Sequence, residues 1–181
     1  GSMNAITYKE IFALLKADKM WLGNGFKAGN AYFASPLSKD YADGVYDKET
    51  GLVKFRNCCW YTNLDHGKRH QPLALMTMKD NLKFSKHKDI KENGYQNYDN
   101  YNAIEVSYTD AIPSDYDGVM GVPISFLDKY SPEQFEIVGS DYEVKEGKLP
   151  EIVNPNWQGK LDRGYINGNR IYSRILIRRK K

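Results

Sequence analysis

The first regular pattern along the chain is helical. A hydroxyl at Thr7 and a carboxylate at Glu10 have the form of a capping box. Apolar residues at helical spacing follow, at Ile11, Phe12, Leu14 and Leu15. Together these features predict a helix over residues 8–17.

After this helix the pattern changes to short alternating runs broken by turn residues. Met20 to Leu22 is predicted to be a short strand, and strand-like runs follow in "AYFAS", "DGVYDKETGLVKF" and "CCWYTNL". Residues 47–51 (Asp-Lys-Glu-Thr-Gly) predict a hairpin turn, because glycine tolerates a positive φ. Residues 65–102 are polar, and we expect at most one helix there, near 72–83.

The last part of the chain returns to apolar runs. They lie at 103–107, 121–127 and 135–139, with a short helix predicted at 131–136. Asn167-Gly168 separates two alternating runs and predicts a C-terminal hairpin. The mixture of helical and strand patterns predicts a mixed α+β member of the α/β class.

Composition is that of a folded domain. Of the 181 residues, 41% are hydrophobic and 27% are charged. No apolar run approaches the roughly 18 residues of a membrane span, and no signal peptide is recognisable, so we expect a cytoplasmic protein without membrane contact. Residues 1–3 look like a tag remnant. The adjacent Cys58 and Cys59 are poorly placed for a disulfide, and no metal-ligand spacing is present.

Positive charge is concentrated in two places. The net charge is only +3, yet residues 66–91 and 170–181 are both rich in Lys and Arg, with aromatic residues close by. This combination suits a polyanion that carries stackable bases. The alternative is a solvated surface with a ragged basic tail.

Motifs typical of catalysis or cofactor binding are incomplete. Gly23-Asn24-Gly25 follows a predicted strand, but no helix follows it, so a turn is the better interpretation. Residues 154–157 (Asn-Pro-Asn-Trp) lack the second proline of an Asp/Asn-Pro-Pro-aromatic motif and predict a loop. His66 is expected to be solvent-exposed, and Glu105 to lie on the outer face of a strand. We therefore predict no catalytic, cofactor-binding or metal-binding residue in this chain.

Several segments together resemble the EcoRI-like adenine-specific DNA methyltransferases. They are "NAITYKEIF", "KFRNCCWYTNLDH", "YDNYNAIEV", "YDGVMGVPISFLDKYSPEQFEIVG" and "NGNRIYSRILIRRK". The resemblance is to the rear half of such an enzyme. In that family the S-adenosylmethionine loop and the Asp/Asn-Pro-Pro-aromatic motif lie upstream of the segment that resembles residues 4–6. The Gly23–Gly25 stretch would then be a turn in the second half of a methyltransferase-type sheet with strand-rich insertions.

The resemblance also implies roles for particular residues. The strand at 57–64 would pair antiparallel with residues 20–23, and Trp60 or Tyr61 would stand beside a flipped base, although packing in the core is the alternative. The polar stretch 65–102 would carry target recognition, with Lys and Arg on phosphates. The predicted DNA-contacting residues are Lys68, Arg69, Lys83, Lys86, Lys88, Arg174, Arg178 and Arg179.

These implications lead to a division of the chain and to alternative functions. Residues 4–64 would be late methyltransferase elements, and 65–181 a DNA-contacting region. The chain would be the C-terminal part of an S-adenosylmethionine-dependent adenine-N6 methyltransferase of restriction-modification type, inactive in isolation. It would bind double-stranded DNA and pair with an N-terminal half or with itself. The alternative is a non-catalytic DNA-binding or host-defence module derived from such an enzyme.

Overall fold

The computed structural model describes residues 1–23, 30–37, 40–41 and 45–181. They belong to two compact units, Gly1–His66 and Gly67–Lys181. Helices and both parallel and antiparallel strand pairs are present, which confirms the predicted mixed α+β fold. No helix in the part of the chain that the structure describes has the length and hydrophobicity needed to cross a bilayer.

The first unit begins with a 3-10 helix, Met3–Thr7, which leads directly into helix α1, Lys9–Lys16. The predicted helix is confirmed, but the capping box is wrong. Tyr8 occupies the N-cap without a side-chain hydrogen bond, and the Thr7 hydroxyl donates instead to the Asn4 carbonyl at 2.8 Å. Thr7 belongs to the preceding 3-10 helix, so its hydroxyl bonds to a carbonyl of that helix and does not cap α1.

The apolar stripe of α1 is narrower than predicted. Phe12 and Leu15 are buried, whereas Leu14 is 40% exposed. Before the helix, Gly1 and Ser2 run antiparallel to Cys58 and Cys59, which are free thiols. The Met3 amide donates to the Asn57 carbonyl at 2.7 Å and continues this pairing. The segment therefore extends the strand pairing of the unit.

Four strands form two antiparallel pairs in the first unit. Strand β1 (Trp21–Leu22) pairs with β4 (Tyr61–Thr62), which confirms the expected antiparallel partner. Strand β2 (Asn30–Phe33) pairs with β3 (Val53–Arg56). The turn at 47–51 is confirmed: the Glu49 amide donates to Asp47 Oδ1 at 2.9 Å, and Gly51 has φ 69°. Of the predicted Gly23–Gly25 turn, Asn24 and Gly25 lie outside the described residues.

The second unit opens with a 3-10 helix at Gly67–His70 and two α-helices, α2 (Met78–Phe84) and α3 (Lys88–Asn93). The expectation of at most one helix between 65 and 102 is therefore wrong. The missed signals are local. The Thr77 side chain accepts from the Asp80 amide at 3.1 Å and caps α2, and Gly94 ends α3 with φ 67°.

A mixed sheet forms the centre of the second unit. Its strands lie in the order β5 (Ile104–Glu105), β6 (Met120–Pro123), β10 (Arg174–Arg179) and β7 (Phe135–Ser140). Strands β5 and β6 are parallel, while β10 is antiparallel to both β6 and β7. The alternative of a ragged basic tail is wrong, because the C-terminal residues form an inner strand. Its residues Ile175, Leu176 and Ile177 are at most 1% exposed.

The remaining elements connect and cover this sheet. A turn with φ 51° at Asn167 and 77° at Gly168 joins β8 (Tyr165–Ile166) to β9 (Asn169–Arg170), so the predicted hairpin is confirmed, with β10 as a separate strand. Helix α4 (Asp141–Lys145) follows β7.

The helix predicted at 131–136 is wrong. There, the Phe135 amide donates to the Ser131 carbonyl in one turn, and β7 starts at once. Further 3-10 helices lie at Thr109–Ala111, Ile124–Lys129 and Pro150–Ile152.

Tyrosine side chains form part of the core next to the sheet. Tyr98 and Tyr101 pack with ring centroids 5.4 Å apart, in a cluster with Leu176. Tyr98 approaches β6 so closely that a Cβ on Gly121 would lie 1.9 Å from its hydroxyl. A side chain at position 121 would therefore displace Tyr98, whose hydroxyl donates to Glu105.

Candidate nucleic-acid interface

Three of the predicted phosphate-binding lysines lie on or between the two helices α2 and α3. Lys83, Lys86 and Lys88, here called the lysine group, are all exposed, with side-chain exposures of 75% for Lys86 and 83% for Lys88. Lys83 lies over the Phe84 ring at 4.9 Å. Lys86 pairs with Asp110 at 2.7 Å and Lys88 with Glu92 at 3.5 Å. Exposed pairs of this kind are weak and leave ammonium donors available to a phosphate.

Lys68 and Arg69 are placed less openly. The Lys68 ammonium contacts Asp128 at 2.7 Å, and its side chain is 25% exposed. Arg69 is 8% exposed, and its Nε is buried without a hydrogen-bond partner. A DNA phosphate could reach these groups only after local rearrangement, so their predicted DNA contacts remain predictions.

The basic residues of β10 face carboxylates. Arg178 lies opposite Glu136 on β7, with 3.8 Å between Nη1 and Oε2. Arg179 lies 3.9 Å from Asp117. Both pairs are long, and Arg178 is 44% exposed. Arg178 therefore stays accessible enough for the predicted phosphate contact, whereas Arg179 is only 25% exposed and Arg174 is enclosed.

Arg174 forms a buried ion pair with Glu105. Its Nε and Nη2 donate to Glu105 Oε1 at 2.9 and 2.7 Å, and the two side chains are 12% and 10% exposed. Burial acts to lower the pKa of Arg174, but the hydrogen bonds to Glu105 outweigh it and raise the pKa. The expectation that Glu105 lies on the outer face of its strand is wrong, because Arg174 on the central strand draws it inward.

The same carboxylate organises two further side chains. Ser107 donates to Glu105 Oε1 at 2.7 Å, and Tyr98 donates to Oε2. Burial and the charge of Glu105 raise the pKa of Tyr98 well above 10, so this hydroxyl keeps its proton. Nearby, burial also raises the pKa of Asp141, which accepts from the Arg174 amide at 2.7 Å.

A cleft of about 420 Å³ opens above this network, entirely within the second unit. Helix α3 contributes Asp89 and Ile90, the β8–β9 hairpin contributes Asn167 and Asn169, and Arg174 lies at the base with Glu105. Further lining residues are Gln96, Ser107, Arg170 and Tyr172. Sequence reasoning missed this cleft. The exposed turn at Asn167-Gly168 was its local signal.

The two predicted base-side aromatics lie in the first unit. Trp60 is 59% exposed, which rules out the core-packing alternative for this residue. Tyr61 is half-buried, and its hydroxyl donates to the Ser2 carbonyl at 2.9 Å. Burial raises the pKa of Tyr61. Trp60 is therefore the more exposed of the two, and its role beside a base remains a prediction.

The weaker motifs have structural explanations. His66 Nε2 lies 2.9 Å from the Leu22 carbonyl and its Nδ1 is buried, so the expectation of a solvent-exposed histidine is wrong. The Asn154 side chain donates to the Asp99 carbonyl at 2.9 Å. The Trp157 amide donates to the Asn154 carbonyl at 3.0 Å and closes a turn, and the Trp157 ring packs on Tyr165. The loop prediction for residues 154–157 is confirmed. Among the described residues, no group of three or more His, Cys, Asp or Glu could hold a metal ion.

Among the described residues, no parallel strand leads through a glycine loop into a helix. A cofactor such as S-adenosylmethionine needs a glycine loop between a parallel strand and a helix. Strand β1 is antiparallel to β4, and the next described regular element after Gly23 is strand β2. The described parallel pair, β5 and β6, is connected through a 3-10 helix, Thr109–Ala111.

Comparison with known proteins identifies the family. The model of the family described as "Adenine-specific methyltransferase EcoRI" matches residues 1–180. The chain belongs to this methyltransferase family. Its resemblance to the EcoRI-like enzymes is thereby confirmed.

Three curated type II methyltransferases align with the whole chain. Type II methyltransferase M.EcoRI of Escherichia coli is 38% identical over 184 residues, covering 100% of this chain and 49% of that protein. M.MgeORF184P of Mycoplasma genitalium is 31% identical, and M.MpnI of Mycoplasma pneumoniae is 28% identical, each with 56% of its length covered. The chain thus spans about half the length of these relatives. No solved structure matches significantly.

Proposed function

We propose that this chain is the DNA-contacting, C-terminal part of an adenine-N6 DNA methyltransferase of the restriction-modification type. The family match and the alignment of the chain with about half of each relative support this proposal. The observation that carries it is the lysine group, which presents ammonium groups to solvent from two adjacent helices.

In this proposal the residues of the chain hold and orient the DNA. The lysine group and Arg178 contact phosphates, which positions the duplex without reading its sequence. Trp60 stacks on the adenine that is turned out of the helix. S-adenosylmethionine supplies the methyl group in the complete enzyme, and residues outside this chain hold it. The chain alone is expected to be inactive.

The test is the salt dependence of duplex binding, measured by fluorescence anisotropy. Phosphate contacts release counterions, so the logarithm of the binding constant falls linearly with that of the salt concentration. Replacing Lys83, Lys86 and Lys88 by alanine should reduce this slope by up to roughly three units and weaken binding similarly for all sequences.

A matched control variant loses the same three positive charges at other places on the chain. Lys129, Lys145 and Lys160 are exposed lysines outside α2 and α3, and their triple alanine variant removes equal charge. A slope that falls equally in both variants would indicate only a general charge effect. If no duplex binds even at low salt, the proposed DNA-contacting role is wrong.

A further inference from the structure

The cleft of the second unit combines three features that a phosphate-binding surface does not need. It is concave, its base is a guanidinium held by a carboxylate, and its rim carries a large aromatic side chain in solvent. Tyr172 is 86% exposed. A side chain of this kind gains nothing from solvent exposure, and tyrosine rings are common platforms for nucleobases.

Arg174 can offer hydrogen-bond donors to an occupant of the cleft. A guanidinium has five N–H groups in a fixed plane. In Arg174, Nε and Nη2 donate to Glu105, and Nη1 donates to the Ser173 carbonyl at 3.2 Å. One further N–H on each of Nη1 and Nη2 has no protein acceptor among these bonds. Because Glu105 holds the plane, these donors are oriented before any ligand enters.

The base of the cleft is poor in acceptors. Both Glu105 oxygens are already used, Oε1 by Ser107 and Arg174, and Oε2 by Tyr98 and Arg174. The wall carries another carboxylate, Asp89, whose Oδ1 accepts from Asn93 at 2.6 Å. An occupant should therefore present hydrogen-bond acceptors to the bottom of the cleft. The charges of Asp89 and Glu105 in the lining balance those of Arg170 and Arg174, which favours a neutral occupant.

Guanine fits this arrangement better than the other bases. Its O6 and N7 form an edge of two acceptors, for which arginine is the usual partner. Adenine places its amino group between N1 and N7, and thymine places an N–H between its two carbonyl oxygens, so neither offers two adjacent acceptors to the bottom of the cleft. Cytosine offers O2 and N3 as such an edge, and the duplex with an unpaired cytosine therefore tests the choice of guanine. The volume of about 420 Å³ is sufficient for one base. At 12% exposure, the Arg174 side chain cannot reach into a duplex groove, so the base has to be unpaired.

We propose that this cleft binds an unpaired guanine base, stacked on Tyr172 and hydrogen-bonded to Arg174. The base could come from a guanine displaced from DNA or from free guanosine, and both present the same edge. Insofar as the base belongs to DNA, the proposal rests on the DNA-contacting function above.

The experiment uses the full chain and fluorescein-labelled duplexes that contain one unpaired guanine, adenine, cytosine or thymine, beside an intact duplex. Guanosine and adenosine serve as unlabelled competitors. Tyr172→Ala should weaken binding of the unpaired-guanine duplex about tenfold, since stacking is lost, and Tyr172→Phe should retain it. Tyr8→Ala, which removes another exposed tyrosine, is the control.

Each outcome decides one of the two proposals. The cleft assignment is supported if the unpaired-guanine duplex binds tightest, guanosine competes better than adenosine, and Tyr172→Ala loses this preference while Tyr8→Ala keeps it. The cleft assignment is overturned if all duplexes bind with the same affinity or if Tyr172→Ala has no effect. In that case, salt-dependent binding of the intact duplex would still support the DNA-contacting function. If guanosine alone binds and no duplex does, the cleft assignment holds and the DNA-contacting function fails.

Discussion

Glu105 and Arg174 illustrate how a charged residue is accommodated inside this domain. Desolvating a carboxylate and a guanidinium is costly, and the cost is offset only when the pair is well aligned and its remaining atoms are hydrogen-bonded. Here Ser107 and Tyr98 complete the hydrogen bonding of the carboxylate. The pair joins the edge strand β5 to the inner strand β10 across β6.

Removing one member of this pair should strongly destabilise the fold. Glu105→Leu leaves the Arg174 charge buried without its partner, and the free energy of unfolding should fall by about 3–5 kcal/mol. Urea denaturation measures this change. The double variant Glu105→Leu with Arg174→Met should recover part of the loss, since apolar side chains can replace a buried pair.

The comparison pair is Arg178 and Glu136, which lie further apart and in solvent. Glu136→Ala should change the free energy of unfolding by less than about 1 kcal/mol. Equal effects of Glu105→Leu and Glu136→Ala would contradict the structural role assigned to the buried pair.

Trp60 offers a second test at the scale of a single residue. Because it is 59% exposed, Trp60→Ala should leave the melting temperature nearly unchanged. Loss of stacking should weaken binding to DNA with an extrahelical adenine by about 1–3 kcal/mol. The salt slope should not change, since no phosphate contact is lost. A large drop in melting temperature, measured by circular dichroism, would instead indicate a packing role.

At the scale of elements, Asp110 stabilises the segment between α2 and α3 through hydrogen bonds to two of its side chains. It accepts from Lys86 at 2.7 Å and from His87 Nε2 at 2.7 Å, and the His87 ring stacks on Tyr108 at 3.7 Å. Burial acts to raise the pKa of Asp110, but these hydrogen bonds outweigh it and lower the pKa from 3.8 to about 2. Asp110 thus links the lysine group to the 3-10 helix Thr109–Ala111.

The lowered pKa predicts a pH dependence of stability. The contribution of ionised Asp110 is fully present above 3.8 and is lost as pH falls towards 2. The stability difference between the native protein and Asp110→Asn should therefore shrink as pH decreases through this window. Urea denaturation at a series of pH values measures it. A difference that stays constant across the window would mean that the carboxylate does not act through its charge.

At the scale of the whole molecule, the first unit exposes a number of apolar side chains. Tyr32, Phe33, Leu37 and Leu64 are 53%, 42%, 61% and 75% exposed. Phe12 and Leu15 of α1 are buried and do not contribute to this exposed apolar surface.

These apolar side chains predict association of the chain with itself or with an N-terminal methyltransferase half. Light scattering at increasing concentration should show a mass above that of the monomer. Phe33→Ser with Leu64→Ser should reduce it, while Tyr172→Ser in the second unit should not. A monomer at all concentrations would contradict self-association.

The sequence by itself determined the features that depend on neighbouring residues. Helix α1, the turn at 47–51 and the Asn167-Gly168 turn follow from apolar spacing and from residues that accept a positive φ. The family also follows from the sequence, because its segments are matched along the whole chain. The missed helices α2 and α3 carry local cap signals as well, at Thr77 and Gly94, so they could have been predicted.

Only the tertiary structure decided which charged residues lie inside. The alternation around Glu105 predicts a surface position, and the basic C-terminus left a ragged tail open as an alternative. Arg174 lies 69 positions from Glu105 and reaches it through the pairing of β10 with β6. Local periodicity carries no information about a partner at that distance. Long-range strand pairing buries Ile175, Leu176 and Ile177, brings Arg174 with them, and forms the cleft in which Tyr172 stands exposed.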